Sequence, residues 1–435
     1  MKRFLYEKLL QWKANPSRKP LILNGARQVG KTYLIREFGE REYSKMAYIS
    51  LDRSPLAVEV FNRGGSVADL LMALSAISQV DITHHDTLLV LDEIQDCPKA
   101  IETLKFFCEE EPDIHIIVAG SLLGLSIYGG VSYPVGKVDE LRLYPMTFLE
   151  FLEASGHSRL VSPLKSGNWN VVGLLSMECI SLLRQYYYVG GMPAAVLAHV
   201  KNSGLQEVRR IQKQILADYR RDFSKHAPAR EVPRINMVWD SIPAQLGKEN
   251  KKFVYGAVKR SARAVDFELA IQWLIDAGLA YKVTRVKRPC LPLKFYEEQE
   301  AFKLFMLDVG LMGAMTDTPA APILLGDNVF VDYKGAFTEL YVFTQLVVQG
   351  LPLYYHSVVK STIEIDFITQ FHDWVVPIEV KAEVNVKSKS LRTFVSNHPD
   401  LHGIRFSMLP YERQDWMTNI PLYACGTVWG GQAEV

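Results

Sequence analysis

No stretch of this sequence approaches the roughly 18 consecutive apolar residues that a bilayer-spanning helix needs, so no membrane partner is expected. The first twenty residues, MKRFLYEKLLQWKANPSRKP, interleave charges with apolar side chains and lack the continuous apolar core of a secretory signal. The five cysteines, Cys97, Cys108, Cys179, Cys290 and Cys425, form no close pair and no metal-ligand spacing. That points away from a disulfide scaffold and towards a reducing, cytoplasmic setting. Net charge is scarce too, at +1, but the balance hides an asymmetry. Residues 201–294 carry 20 Lys and Arg against 9 Asp and Glu, leaving the remainder acidic, and a basic middle of this kind permits a nucleic-acid surface. What is abundant is apolar side chain, 48% of 435 residues, enough for folded cores in a chain too long for one, so two or three domains are expected.

The segment PLILNGARQVGKTYLIREF carries the strongest chemical signal. A short apolar strand, Leu21 to Leu23, runs into Gly25, Ala26, Arg27, Gln28, Val29, Gly30, Lys31 and Thr32, and a helical pattern starts at the lysine. Glycines at both ends let backbone N–H groups wrap a phosphate, and the helix N-terminus adds favourable partial charge. Lys31 is then placed to reach the β and γ phosphates of ATP, and Thr32 to offer its hydroxyl to Mg2+. A second apolar strand, Thr87 to Leu91, ends in Asp92 and Glu93. Asp92 is suited to orient the Mg2+ shell and Glu93 to polarise the attacking water. A third, Ile114 to Ala119, ends at Gly120 and Ser121, whose hydroxyl either positions that water or caps a helix. Alternation of strands and helices predicts a parallel sheet covered on both faces.

With GARQVGKT, LLVLDEIQ, the IIVAGS strand and the run Glu140 to Phe151, the chain resembles the prokaryotic AAA+ ATPases whose C-terminal half is known as domain-of-unknown-function family number 4143. The resemblance covers nearly the whole length and includes Tyr187 to Pro193, a Gly-Gly-x-Pro helix stop. It implies assembly in which an arginine of one subunit reaches the next subunit's nucleotide; Arg142 is the candidate, against the plainer reading of a surface arginine. The fold expected is α/β: a P-loop AAA+ ATPase core over 1–151, a helical lid over 152–230, a winged-helix domain over 231–294 and a restriction-endonuclease-like α/β domain over 295–435. The winged helix rests on helical runs at Met237–Leu246 and Ala264–Ala277, followed by a strand from Leu279 to Val286. Lys251, Lys252, Lys259, Arg260, Arg263, Lys287 and Arg288 would contact DNA phosphates or form a solvated basic face on a protein-docking module.

Near the C-terminus, Glu339 falls on a helical pattern, Asp366 lies within the strand Ile363 to Thr369, and Glu379 and Lys381 share one face of the strand Val375 to Lys381. A hairpin at His372 and Asp373 would set Asp366 opposite Glu379. The pair could then share a second Mg2+ or Mn2+, with Lys381 stabilising developing charge. This matches the Asp then Glu-x-Lys pattern of the restriction-endonuclease-like fold, whereas an ion-paired core explains the same residues without a metal. The functions expected are therefore an ATP-hydrolysing switch coupled to a DNA-binding and nuclease-like region or a nucleotide-dependent DNA- or protein-binding regulator without cleavage. DNA, further copies of the chain and an unidentified protein are the candidate partners.

Overall fold

The computed structural model describes residues 1–120, 133–248, 251–325, 331–358, 363–382 and 388–429. It divides into two compact units: Lys2–Tyr144 with Asp276–Leu279, and Pro145–Ile275 with Ala280–Val435, to which Met1 also belongs. Among the described residues no helix is long and apolar enough to cross a membrane.

The first unit is built on strands β1 (Leu21–Asn24), β2 (Lys45–Ser50), β3 (Thr87–Asp92), β4 (His115–Ala119) and β5 (Asp139–Arg142). They pair parallel throughout, in the order β2-β3-β4-β1-β5. Every residue of β3 and β4 is buried, as helices on both faces of a parallel sheet demand. Helix α1 (Leu5–Ala14) precedes the sheet and α2 (Lys31–Glu42) follows β1. Helices α3 (Pro55–Arg63), α4 (Val67–Ser78) and α5 (Pro98–Glu110) bury Phe61, Leu74 and Phe107 against Leu89, Leu91 and Ile116 of the sheet. Their starts are written locally. Ser54 caps α3 ahead of Pro55, and Ser66 and Asp69 form a reciprocal capping box on α4.

The second unit opens with helices α6 (Phe148–Ala154), α7 (Ser176–Val189), α8 (Leu205–His226), α9 (Val232–Leu246) and α10 (Ala264–Asp276). Its sheet has the order β12-β13-β11-β10-β9-β8-β6-β7. The strands are β6 (Ala280–Val286), β7 (Glu297–Met306), β8 (Leu353–Ser357), β9 (Glu364–Phe371), β10 (Trp374–Val380), β11 (Gly403–Ser407), β12 (Glu412–Arg413) and β13 (Met417–Pro421). β8, β9 and β10 form an antiparallel meander; β10, β11 and β13 are parallel, with α13 (Lys389–Asn397) making the crossover between the first two. Between β7 and β8 come α11 (Val309–Met315) and α12 (Val331–Val347). One sheet face receives α12, whose Phe343 meets Phe305 and Phe367; the other receives α13, whose Leu391 and Phe394 join Ile365, Ile368 and Val375.

Two features differ from simple reading of the sequence. The expected boundary between 294 and 295 falls inside the β6–β7 hairpin, and β6 also pairs with β8, so one sheet runs across it. The helices expected as a lid share a core with α12, through ring contacts of Phe148, Tyr186 and Tyr187 with Tyr341. A polar knot fixes this core. Asp308 caps α11 by accepting from Leu311 N at 2.9 Å and also accepts from Gly191 N at 2.6 Å. Gly190 and Gly191 are needed for space as much as for the turn, since a Cβ would overlap the Asp308 carboxylate at the first and the Met146 carbonyl at the second.

Candidate functional site

The loop between β1 and α2 is curled by three positive φ angles, +151° at Gly25, +66° at Gln28 and +96° at Gly30. Such alternation is the backbone geometry that turns successive N–H groups towards a concavity suited to anionic oxygens. Gly25 has a second reason to be glycine: a Cβ there would overlap the carbonyl of Leu143. Arg3 props the loop from behind, donating to Val29 O at 2.8 Å and Tyr144 O at 2.6 Å.

Lys31 donates to the carbonyls of Gly25 and Ala26 at 2.8 and 2.9 Å, which holds its ammonium at the lip of the loop. Burial pushes its pKa down to about 8 against the pull of Glu93 and Asp92. Thr32 Oγ1 donates to Asp92 Oδ2 at 2.9 Å, and the same oxygen accepts from Tyr48. Thr32, the second residue of α2, and Asp92, at the end of β3, thus offer adjacent hard oxygens of the kind Mg2+ takes. Glu93 adopts φ +52°, an uncommon backbone for a non-glycine residue that is typical of functional turns, and its Oε2 accepts from Gln95 Nε2 at 2.7 Å. The structure therefore brings Lys31, Thr32, Asp92 and Glu93 together. Ser121 lies outside the described residues. Arg142 is on β5, paired with Asn24 of β1; a Cβ at Gly278, in the same unit, would stand 3.2 Å from its Nη2 and 3.4 Å from Ala26 N. That geometry puts the guanidinium beside its own chain's loop.

The C-terminal candidates form two groups instead of one. On β9, Asp366 and Phe367 together stand opposite the single residue Tyr355, because Tyr354 pairs with Ile368 while His356 pairs with Ile365. A bulge of this kind breaks the two-residue alternation. Phe367 meets Phe343 of α12, and Lys303 on β7 links Glu364 at 2.8 Å to Glu339 of α12 at 3.0 Å. Glu364 and Phe367 thus turn to the same helix although they are three positions apart, which regular alternation would put on opposite faces. Asp366 goes with them: its charged neighbours are Glu339, Lys251 and Lys303, and its Oδ2 accepts from Val380 N at 2.8 Å. Burial, then the like charge of Glu339, raises its pKa to about 6.

Ile378 pairs with Phe367 and shares its face, so Glu379 points to the other side of the sheet. There it pairs with Lys381 at 3.1 Å and lies beside Arg405, its partner in the β10–β11 register, which donates to Ser388 at the start of α13. Its second oxygen, Oε2, is buried without a hydrogen-bond partner among the described residues. The hairpin at His372 and Asp373 forms as the spacing predicts, but Asp366 and Glu379 do not converge on one cation position. Among the described residues no group of three or more His, Cys, Asp or Glu is disposed to hold a metal.

Glu339 is the hub of the first group. Its Oε1 accepts from Lys303 and its Oε2 from Lys251. Burial opposes ionisation of both Glu339 and Lys303, yet the opposite charges win, lowering the pKa of the acid and raising that of the lysine. Sequence reasoning missed Lys303, although a lone lysine in the apolar run Ala301 to Met306 is a visible signal. It placed Lys251 either on DNA phosphates or on a solvated basic face, whereas that ammonium is paired with Glu339. Arg3 and Tyr48 were missed as well.

Comparison with known proteins divides the chain in three. An AAA domain matches residues 17–152, a domain of unknown function (DUF8612) residues 180–321, and a second such domain (DUF4143) residues 334–425. The chain thus contains an AAA domain and, separate from it, a C-terminal domain of unknown function. No curated protein matches the sequence. Solved structures with some likeness include the Thermotoga maritima RuvB Holliday junction branch migration motor, at 15% identity and TM-score 0.30, covering 65% of this chain and 89% of that one. Cdc6p from Pyrobaculum aerophilum aligns at 14% identity and TM-score 0.28, covering 73% and 94%. Protein VC1899 from Vibrio cholerae aligns at 11% and 0.19, covering 94% and 96%. Superpositions this loose carry no argument about fold or function.

Proposed function

We propose that this chain is an ATP-binding and ATP-hydrolysing switch whose nucleotide state is coupled to a DNA-binding C-terminal region. The observation that carries the nucleotide half is the convergence of Lys31, Thr32, Asp92 and Glu93 on one curled loop within the segment matched by the AAA domain. The loop N–H groups and the start of α2 bind the phosphates, and Lys31 moves its hydrogen bonds from the Gly25 and Ala26 carbonyls to phosphate oxygens. Thr32 and Asp92 would hold Mg2+, which when bound supplies charge neutralisation on the phosphates. Glu93 orients the attacking water and draws off its proton. The position of Arg142 beside Ala26 supports a role for its charge at its own chain's nucleotide. Phosphate release by purified protein with Mg2+ tests this reading, with and without duplex or branched DNA. Glu93→Gln should keep ATP binding and lose about 10²- to 10⁴-fold in turnover. Equal turnover in that variant and the wild type would sink the assignment.

For the C-terminal region, a nuclease-like role in the fold class expected from the sequence draws support from the meander, the parallel fourth strand and the α13 crossover. A second reading, a nucleotide-dependent regulator that binds DNA or protein without strand scission, is favoured by a specific observation. Asp366 and Glu379 face opposite sides of the sheet, and Glu339 is held by two lysines. Labelled single-stranded, duplex and branched DNA incubated with Mg2+ or Mn2+, with and without ATP, separates the two. Cleavage lost in Asp366→Ala would support the nuclease; intact DNA with nucleotide-dependent binding supports the regulator.

A further inference from the structure

The endonuclease pattern implies a divalent cation among the C-terminal acids, and the residues around Glu339 can be tested for their fit to one. Mg2+ and Mn2+ take oxygen ligands at short range and need carboxylate lone pairs free to face them. Neither oxygen of Glu339 is free: Lys303 occupies Oε1 and Lys251 occupies Oε2. Lys303 is fully buried and also bonds Glu364, so its ammonium sits between two carboxylates with Asp366 as a third charged neighbour. Its charge is further accommodated by the ring of Tyr355, 4.9 Å from Nζ. A divalent ion brought to Glu339 would meet two ammonium groups at contact distance, and the repulsion would oppose its binding. On the opposite face, Glu379 Oε2, buried without a hydrogen-bond partner among the described residues, belongs to a carboxylate already flanked by Lys381 and Arg405. The donor set does not fit a metal.

Burying a lysine completely is costly unless its charge is matched. Here three acids match it, and the exchange works in both directions: without Lys303, the same three acids would stand together with only Lys251 against them. We infer that the C-terminal domain carries its cation within its own chain. Lys303, seconded by Lys251, stands among Glu339, Glu364 and Asp366, the last being one of the two acids to which the endonuclease pattern would give a divalent metal, and this cluster binds no such ion. The lysines come from β7 and from the segment ahead of α10, the acids from α12 and β9, so the cluster joins these parts of the unit as a structural metal would.

The inference deepens the reading without strand scission and is tested apart from it. Mn2+ is titrated into the full-length protein without nucleotide, with bound and free ion counted by electron paramagnetic resonance, for wild type, Asp366→Asn and Lys303→Met. Wild type and Asp366→Asn should bind the same number of ions, because any ion at Thr32 and Asp92 is common to both. Lys303→Met should bind one more and gain a Mn2+-dependent rise in melting temperature that the wild type lacks. One ion fewer in Asp366→Asn than in wild type would overturn the inference, as would a folded Lys303→Met with no added ion. If Lys303→Met does not fold, the Asp366→Asn comparison decides alone. Metal bound at the cluster without DNA cleavage overturns this inference only, and cleavage without metal there overturns the functional reading only.

Discussion

Binding of MgATP should draw a proton from solution, and the amount follows from Lys31. Burial lowers the pKa of this lysine from 10.5 to about 8, so at pH 8 about half of the molecules carry it neutral and at pH 7 about one tenth do. Phosphate oxygens placed at the ammonium favour its charged form and lift that pKa back above the working range. Proton uptake on binding then equals the neutral fraction: about 0.1 at pH 7, about 0.5 at pH 8 and about 0.9 at pH 9. Titration calorimetry in buffers of different ionisation enthalpy reads this number directly. Above the pKa, affinity should fall about tenfold per pH unit, since the binding form becomes scarce. The same group predicts a stability change without nucleotide. Between pH 8 and 10.5 the unfolded chain holds this proton more often than the folded one, so stability rises with pH across that window, by about 3 kcal/mol if Lys31 acted alone. Uptake that stays flat from pH 7 to 9, or proton release, would refute the assignment of Lys31 as the buried phosphate-binding cation. Lys31→Arg offers a control, since a guanidinium stays charged and should abolish the pH-dependent part of the uptake.

Other perturbations report on the supports of the two sites. Gly25→Ala forces a Cβ into the Leu143 carbonyl at φ +151° and should cost about 1–3 kcal/mol, read by urea unfolding, with ATP binding weakened as the loop opens; unchanged stability and affinity would show that the loop tolerates the shift. Arg3→Ala leaves the Val29 and Tyr144 carbonyls without their donor and should cost about 1.5–3 kcal/mol while weakening ATP binding, although Arg3 need touch no nucleotide. Lys303→Met should destabilise the protein by about 3–5 kcal/mol, and adding Glu339→Gln should restore part of that loss, because the second change removes a charge left buried without its strongest partner. Strictly additive losses in that double-variant cycle would mean the two side chains are not coupled.

The proposed nucleotide site was legible because the residues that form it are local. Gly25 to Thr32 is one contiguous run, and both its backbone curl and its cation follow from residue type. Asp92 is 60 residues away from Thr32, yet it too could be placed, since an apolar strand ending in acids brings its carboxylate to the edge of a parallel sheet. The props behind the loop were not legible. Nothing near Arg3 says that its guanidinium reaches two carbonyls, one of them 141 residues on. The Gly190-Gly191 stop was read as a turn, which it is, but the reason both positions exclude a side chain lies with Asp308 and Met146.

The C-terminal candidates show how a correct local reading yields a wrong contact. Both strands and the hairpin between them form, and the pairing of Ile378 with Phe367 would carry Glu379 to Asp366 in a regular ladder. Strand alternation has a period of two, so a single extra residue reverses every face assignment beyond it. The extra residue here is spent at Asp366 and Phe367 opposite Tyr355. It turns Asp366 towards Glu339 and Lys303 and leaves Glu379 to Lys381 and Arg405. A bulge has no composition signal as strong as a glycine turn, which is why periodicity alone could not place it. Lys303 was the available clue: a charge inside Ala301 to Met306 must find acids within reach, and Glu339, Glu364 and Asp366 were the acids left to supply them. Counting the charges that a buried lysine requires would have separated the acids of α12 and β9 from Glu379 before any strand register was known.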